Sequence, residues 1–197
     1  MENSIRRLCV FCGSNLGFSS RYQSGARGLA LQIVSRRWGL VYGGTSVGLM
    51  GVVANTVLAE GGQVTGVLPS MLAVPELQHA GVSDMRIVPS MHARKALMSE
   101  LSDAFVALPG GYGTFEELLE IITWTQLGIH RKPIGLLNTD GFYQPLLDLI
   151  DHSVREGFIR AEQRHLLVAD DDPAKLLDRL TTHRMPVVPK WVKPEET

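Results

Sequence analysis

Pro109-Gly110-Gly111-Tyr112-Gly113-Thr114-Phe115-Glu116-Glu117 follows an apolar run of strand character, Ala104-Phe105-Val106-Ala107-Leu108, and opens a run of helical character. A strand that passes through a short turn into a helix is the repeating unit of a parallel α/β sheet. The three glycines let the backbone take positive φ and pass close to a ligand, while the free N–H groups of the first helical turn point at whatever occupies the loop. A phosphate is the natural occupant, held beside a carboxylate. Thr114 and Glu117 also have the spacing of a capping box, in which both side chains would only satisfy the helix end. The segment alone leaves both readings open.

Outward from this stretch the same rhythm repeats. Strand-like runs occur at Leu8 to Cys12, Leu40 to Tyr42, Val64 to Leu68, Arg86 to Val88, Ala104 to Leu108, Ile134 to Leu137 and Leu166 to Val168, and most are separated by enough chain for a crossover helix. The pattern predicts an α/β fold, doubly wound, with a mainly parallel sheet of about seven strands and helices on both faces. One domain over residues 1–197 is expected from the length and from 45% hydrophobic content. The stretch from Pro69 to Met85 breaks the rhythm and is a candidate lid. Pro186, Pro189 and Pro194 mark an irregular tail over 185–197.

Three glycine-rich turns follow strand ends: Gly13-Ser14-Asn15-Leu16-Gly17, Gly43-Gly44-Thr45 running on to Gly51, and the Pro109 to Thr114 loop. The carboxyl ends of parallel strands share one edge, so the three turns can converge where open α/β sheets bind ligands. Gly13 begins no G-x-G-x-x-G and no acidic residue ends the second strand, so a mononucleotide fits better than NAD. Packing of helices close to strands remains the alternative for Gly48 and Gly51.

Nineteen basic against twenty acidic residues give a net charge of −1, which argues against nucleic acid or an anionic membrane as partner. No apolar stretch has membrane-spanning length and the first residues carry no export-signal pattern, so a cytoplasmic location is expected. Cys9 and Cys12 form a CxxC within a strand-like run. Residues three apart on a strand face opposite sides, so these are expected to be buried thiols rather than a disulfide or a metal site. The six histidines show no HxxxH or HxH pairing, and no metal is expected.

The chemistry concentrates in two helices. Ser90 to Leu101 reads as a helix capped by Ser90, with an apolar stripe of Met91, Leu97, Met98 and Leu101. Arg94 falls on that stripe, three or four residues from its members, and so needs a partner: Glu117, a bound phosphate, or water reached by snorkelling. Lys95 faces about 100° away and is expected at the ligand's periphery or in solvent. In the next helix Phe115, Leu118, Leu119 and Ile122 are expected to be buried, with Glu116, Glu120 and Thr123 on another face and Glu117 at the helix mouth. A carboxylate beside a phosphate pocket suggests cleavage at a sugar carbon through an oxocarbenium-like transition state.

Taken together, the Pro109 to Glu117 stretch resembles the PGGxGTxxE signature of the LOG ("lonely guy") family, the cytokinin riboside 5′-monophosphate phosphoribohydrolases. Ser90 to Lys95 resembles that family's SMHxRK segment, Gly13-Ser14 its first loop, and Gly48-Leu49-Met50-Gly51 its GLMG turn. The similarity runs from about Arg6 to Arg184. It implies a Rossmann-like homodimer that cleaves the N-glycosidic bond of a nucleoside 5′-monophosphate to free base and ribose 5-phosphate, without metal or organic cofactor.

By position, the resemblance makes Arg94 and Glu117 the catalytic pair. It assigns substrate contacts to Glu76, Lys95, Gly111, Tyr112, Gly113, Thr114, Phe115, Glu116 and Thr123, to which Ser14 and Gly44 are added from the other two loops. Mixed polar and apolar faces around Thr123 and Trp124 suit a two-fold dimer with the site near its interface. Thr45 stands where many relatives have a third glycine. Such proteins often carry a lysine decarboxylase label, but a pyridoxal enzyme needs a Schiff-base lysine with cofactor contacts, and the lysine beside Arg94 lacks that setting. A non-catalytic nucleotide or phosphorylated-cofactor carrier is the competing reading. A carrier would use the glycine loops yet has no need of a carboxylate at the sugar. A purely structural module would leave Arg94 unexplained.

Overall fold

The computed structural model describes residues 3–186, so most of the expected irregular tail, with Pro189 and Pro194, lies outside the described residues. Seven strands form one all-parallel sheet: β1 (Arg7–Phe11), β2 (Gly39–Tyr42), β3 (Val64–Pro69), β4 (Asp84–Val88), β5 (Ala104–Ala107), β6 (Ile134–Leu137) and β7 (Leu167–Asp170). Six α-helices alternate with them: α1 (Ser20–Ser35), α2 (Gly48–Ala59), α3 (Met91–Leu101), α4 (Tyr112–Leu127), α5 (Gln144–Arg155) and α6 (Pro173–Thr182). The strand order is β4-β3-β2-β1-β5-β6-β7. The chain therefore winds outward in one direction from β1 and in the other from β5. Beyond the ends of these two neighbours lies the switch point at which doubly wound sheets hold ligands.

Period-two alternation decides what each helix layer packs against. Leu8 and Val10 of β1 and Val106 of β5 join the core beneath α1, α2 and α6, while Cys9, Phe11 and Phe105 join the core beneath α3, α4 and α5. Phe11 and Phe105 stack across the β1–β5 pair with centroids 6.0 Å apart. Cys12, just past β1, belongs to the first core and Cys9 to the second. The two thiols are unpaired and buried on opposite sides of the sheet, as their spacing requires.

Helix starts follow from local chemistry. The Ser90 hydroxyl accepts the Ala93 N–H at 3.1 Å, and the Asp172 carboxylate accepts that of Lys175 at 2.9 Å ahead of Pro173. Helix α4 ends on Gly128 at φ 80°, the left-handed residue that closes many helices. Its buried face differs from the expected stripe: Leu118 is fully buried with Thr114, Glu117, Ile121 and Thr125, whereas Leu119 is 48% exposed. The helix is rotated toward its polar start because Thr114 and Glu117 are drawn into the interior.

Candidate active site

The three glycine turns meet at the switch point, tied by backbone hydrogen bonds. Gly13 N–H donates to Pro109 O at 3.0 Å, and Leu49 N–H donates to Gly13 O at 3.0 Å. Only glycine fits this junction. A Cβ on Gly48, whose φ is 57°, would sit 2.2 Å from the Ser14 carbonyl carbon, and one on Gly110 would sit 2.1 Å from Thr114 Oγ1. Thr45, by contrast, needs no glycine: its φ is not in the left-handed region, and its hydroxyl packs 3.4 Å from Met50 Sδ.

These turns wall a cavity of about 350 Å³, within the size range of small-molecule sites. Ser14, Gly111, Tyr112, Gly113 and Thr114 line it together with the buried Arg94 and Glu117. Helix α4 begins with Gly111 as its N-cap and receives no side-chain cap. The capping box is therefore not made: the helix starts too early for Thr114 to cap it, and Glu117 is engaged elsewhere. The N–H groups of Tyr112, Gly113 and Thr114 have no carbonyl to bond within the helix, and the helix dipole favours an anion in front of them.

Arg94 and Glu117 form an ion pair, Nη1 to Oε1, at 3.0 Å, and both residues are more than nine-tenths buried. Arg94 Nε donates to Val67 O at 3.2 Å. A Cβ on Gly43 would lie 2.3 Å from Arg94 Nη2, so the guanidinium fits only because position 43 has no side chain. Burial pushes the Glu117 carboxyl above the ordinary glutamate value of 4.5, and the attraction of Arg94 offsets only part of that rise. Desolvating two charges costs several kcal/mol per ion, so such a pair is weak evidence for stability and a strong marker of a working site. The Cys12 thiol also lines the cavity; burial first, then the charge of Glu117, push its pKa up, which keeps it a neutral thiol.

Other expected site residues do not line this cavity. Lys95 is 6% exposed, and its ammonium bonds the Glu116 carboxylate and, at 3.0 Å, that of Glu120. The expectation of solvent does not hold for it. Burial works to lower its pKa, but the hydrogen bonds to Glu116 and Glu120 outweigh burial and the net shift is upward. Gly44 is buried beside the cavity at φ 79°, and Phe115 is half-buried against the α4–α5 core. Glu76 is exposed on the loop between β3 and β4, and Thr123 is exposed further along α4, its hydroxyl bonded to Leu119 O.

Sequence reasoning missed the apolar part of the cavity lining: Val47, Met50, Leu72 and Leu77. Met50 lay within the GLMG turn, but Leu72 and Leu77 belong to an aperiodic loop with no local signal. Among the described residues, no group of three or more His, Cys, Asp and Glu side chains is placed to hold a metal ion, and no helix is long and apolar enough to cross a membrane.

Residues 50–180 match a family model described as possible lysine decarboxylase. A probable cytokinin riboside 5′-monophosphate phosphoribohydrolase of Oryza sativa subsp. japonica, LOGL2, is 52% identical over 180 residues, covering 91% of this chain and 74% of the relative. The Arabidopsis thaliana cytokinin riboside 5′-monophosphate phosphoribohydrolase LOG3 is 51% identical over 179 residues, covering 91% and 83%. The chain belongs to this LOG family. The decarboxylase description finds no counterpart in the site: a lysine held protonated by two carboxylates is poorly suited to Schiff-base attack. Among solved structures, a molybdenum cofactor binding protein from Rippkaea orientalis superposes with a TM-score of 0.67 at 19% identity, over 89% of this chain and 95% of that one. At that identity the likeness of the LOG chain to it is one of fold.

Proposed function

We propose that this protein hydrolyses the N-glycosidic bond of a nucleoside 5′-monophosphate, AMP or a cytokinin riboside 5′-monophosphate, to free base and ribose 5-phosphate. The observation that carries the reading is the buried Arg94–Glu117 pair behind the uncapped first turn of α4. In this reading the amides of Gly111 to Thr114, with Ser14, take the 5′-phosphate and so bring C1′ toward Glu117. As the C1′–N bond breaks, its electron pair leaves with the base and positive charge develops on the sugar, which the Glu117 carboxylate stabilises. Water supplies hydroxide to C1′ and a proton to the base. Arg94 fixes the carboxylate and favours its ionised form against the burial that raises its pKa. A carrier on the same fold would bind phosphate equally well but gains nothing from a buried ion pair at the sugar.

The test is release of free base from AMP and from its N6-isopentenyl analogue. Glu117→Gln and Arg94→Ala should each lose on the order of 10² to 10³ in turnover while remaining folded. A Glu117→Gln variant that hydrolyses AMP at the wild-type rate contradicts the mechanism.

The same reading includes one nucleotide-binding domain, a cytoplasmic location and a homodimer. The dimer draws support from a groove of about 210 Å³ lined by Leu119, Ile122, Thr123 and Gln126 with residues of α5 and the segment before β7, an apolar surface that a second copy would cover. Glu76 and Thr123, which do not line the cavity of their own chain, would then approach substrate at or across the interface.

A further inference from the structure

The loop between β3 and β4 brings Leu72 and Leu77 into the cavity wall, yet Ser70 to Glu76 consists of a single 3₁₀ turn followed by irregular chain. What fixes it is concentrated in the next few residues. Ser46 N–H donates to Leu77 O at 2.9 Å, Thr45 and Gln78 pair in an isolated antiparallel bridge, and His79 N–H donates to Gly44 O at 3.0 Å. At the centre stands His79, 6% exposed.

Both ring nitrogens of His79 are engaged. Nδ1 accepts the Gly81 N–H at 3.1 Å, and Nε2 lies 3.0 Å from Asn55 Oδ1 on α2. An acceptor at Nδ1 requires the neutral ring with its proton on Nε2, so Nε2–H donates to Asn55. The ring thereby ties the loop to the helix that also supplies Met50 to the cavity. The fit is close, since a Cβ on Gly81 would lie 3.2 Å from His79 Cε1. His79 does not line the cavity, and its carbonyl accepts the N–H of Val82, a residue of the core, at 3.2 Å.

We propose that His79 is a positioning residue for substrate affinity: through Gly81 and Asn55 it holds Leu77 and the loop from Ser70 to Gln78 against the cavity. It acts on the apolar part of the cavity lining and touches no reacting atom. The proposal rests on the hydrolase reading above, because its kinetic consequence is read with a nucleoside monophosphate. A wall residue that contacts substrate equally in ground and transition states changes KM and leaves kcat.

The experiment compares wild-type protein with His79→Ala, His79→Asn and Asn55→Ala, using AMP hydrolysis and limited proteolysis followed by mass mapping of cuts within residues 70–78. Losing hydrogen bonds to a buried ring should raise KM roughly fivefold to tenfold in His79→Ala with kcat within about twofold, and should speed cleavage of the loop. His79→Asn retains an acceptor for Gly81 N–H and recovers part of the affinity; Asn55→Ala, a change on the helix surface, loses part of it. An unchanged KM in folded His79→Ala, or a raised KM with unchanged loop cleavage, overturns the proposal. Should His79→Ala fail to fold, Asn55→Ala decides by the same two readouts. A wild-type protein inert toward AMP would refute the hydrolase reading instead, and unchanged loop cleavage in the variants would still refute the clamp.

Discussion

At the scale of single residues, the site is a carboxylate kept working in a place that disfavours it. Burial raises the pKa of Glu117 and Arg94 pulls it back only in part, so the carboxylate takes up a proton at a pH above 4.5. As pH falls through that raised value the charge is lost, and a reaction that needs it slows. The kcat/KM for AMP should therefore show an acid limb above pH 4.5 that is absent from the residual activity of Glu117→Gln; a limb at or below the ordinary value would mean that Glu117 is not the titrating group. Arg94 depends in turn on a missing side chain. Gly43→Ala would drive the Arg94 guanidinium from its place, and displacement of about 1 Å commonly costs on the order of 10²-fold in rate. We expect that loss with a largely native circular dichroism spectrum; wild-type turnover would mean that Arg94 can shift without consequence. Helix spacing exposed Arg94 as an anomaly, a cation on an apolar stripe. The same spacing misplaced Lys95, because it gives the angle of a side chain and not which carboxylates arrive from another helix.

At the scale of elements, the start of α4 decides between holding a ligand and satisfying itself. Gly111 provides no side-chain cap, so the donors of the first turn are left to the cavity. A nucleoside monophosphate should consequently be cleaved while the matching nucleoside is not, with kcat falling along with affinity, since phosphate binding positions the sugar. Comparable kcat/KM for AMP and adenosine would assign the glycine loop to packing alone. The junction of the loops is equally exacting. Gly48→Ala combines a left-handed φ with a clash against Ser14 backbone, at a cost of about 1–3 kcal/mol. Each kcal/mol lowers Tm by roughly 2–4 °C in a chain of this size, and a Tm within error of wild type would contradict the rigidity argued for the junction. The strands were legible from short apolar runs and the helix starts from Ser90 and Asp172. The start of α4 was not, because Thr114 and Glu117 fit a capping box as well as they fit a ligand loop.

At the scale of the molecule, the exposed groove along α4 leads to an expectation of assembly: light scattering at micromolar concentration should give twice the chain mass, and a monomer there would remove the interface proposed beside Thr123. The sequence by itself determined the alternation of strands and helices, the opposed faces of Cys9 and Cys12, the three glycine turns after strand ends and the place of Arg94 on an apolar stripe, in need of a partner that only the fold named. All of these are consequences of period-two and 3.6-residue geometry acting over a few neighbours. Tertiary structure alone decided the rest. It brought Gly43 against Arg94 and Leu77 against the cavity, withdrew Lys95 behind Glu116 and Glu120, and turned Leu119 outward. Such contacts join segments tens of residues apart, and their outcome rests on which surfaces meet when helices pack on a sheet, a competition that no local pattern records.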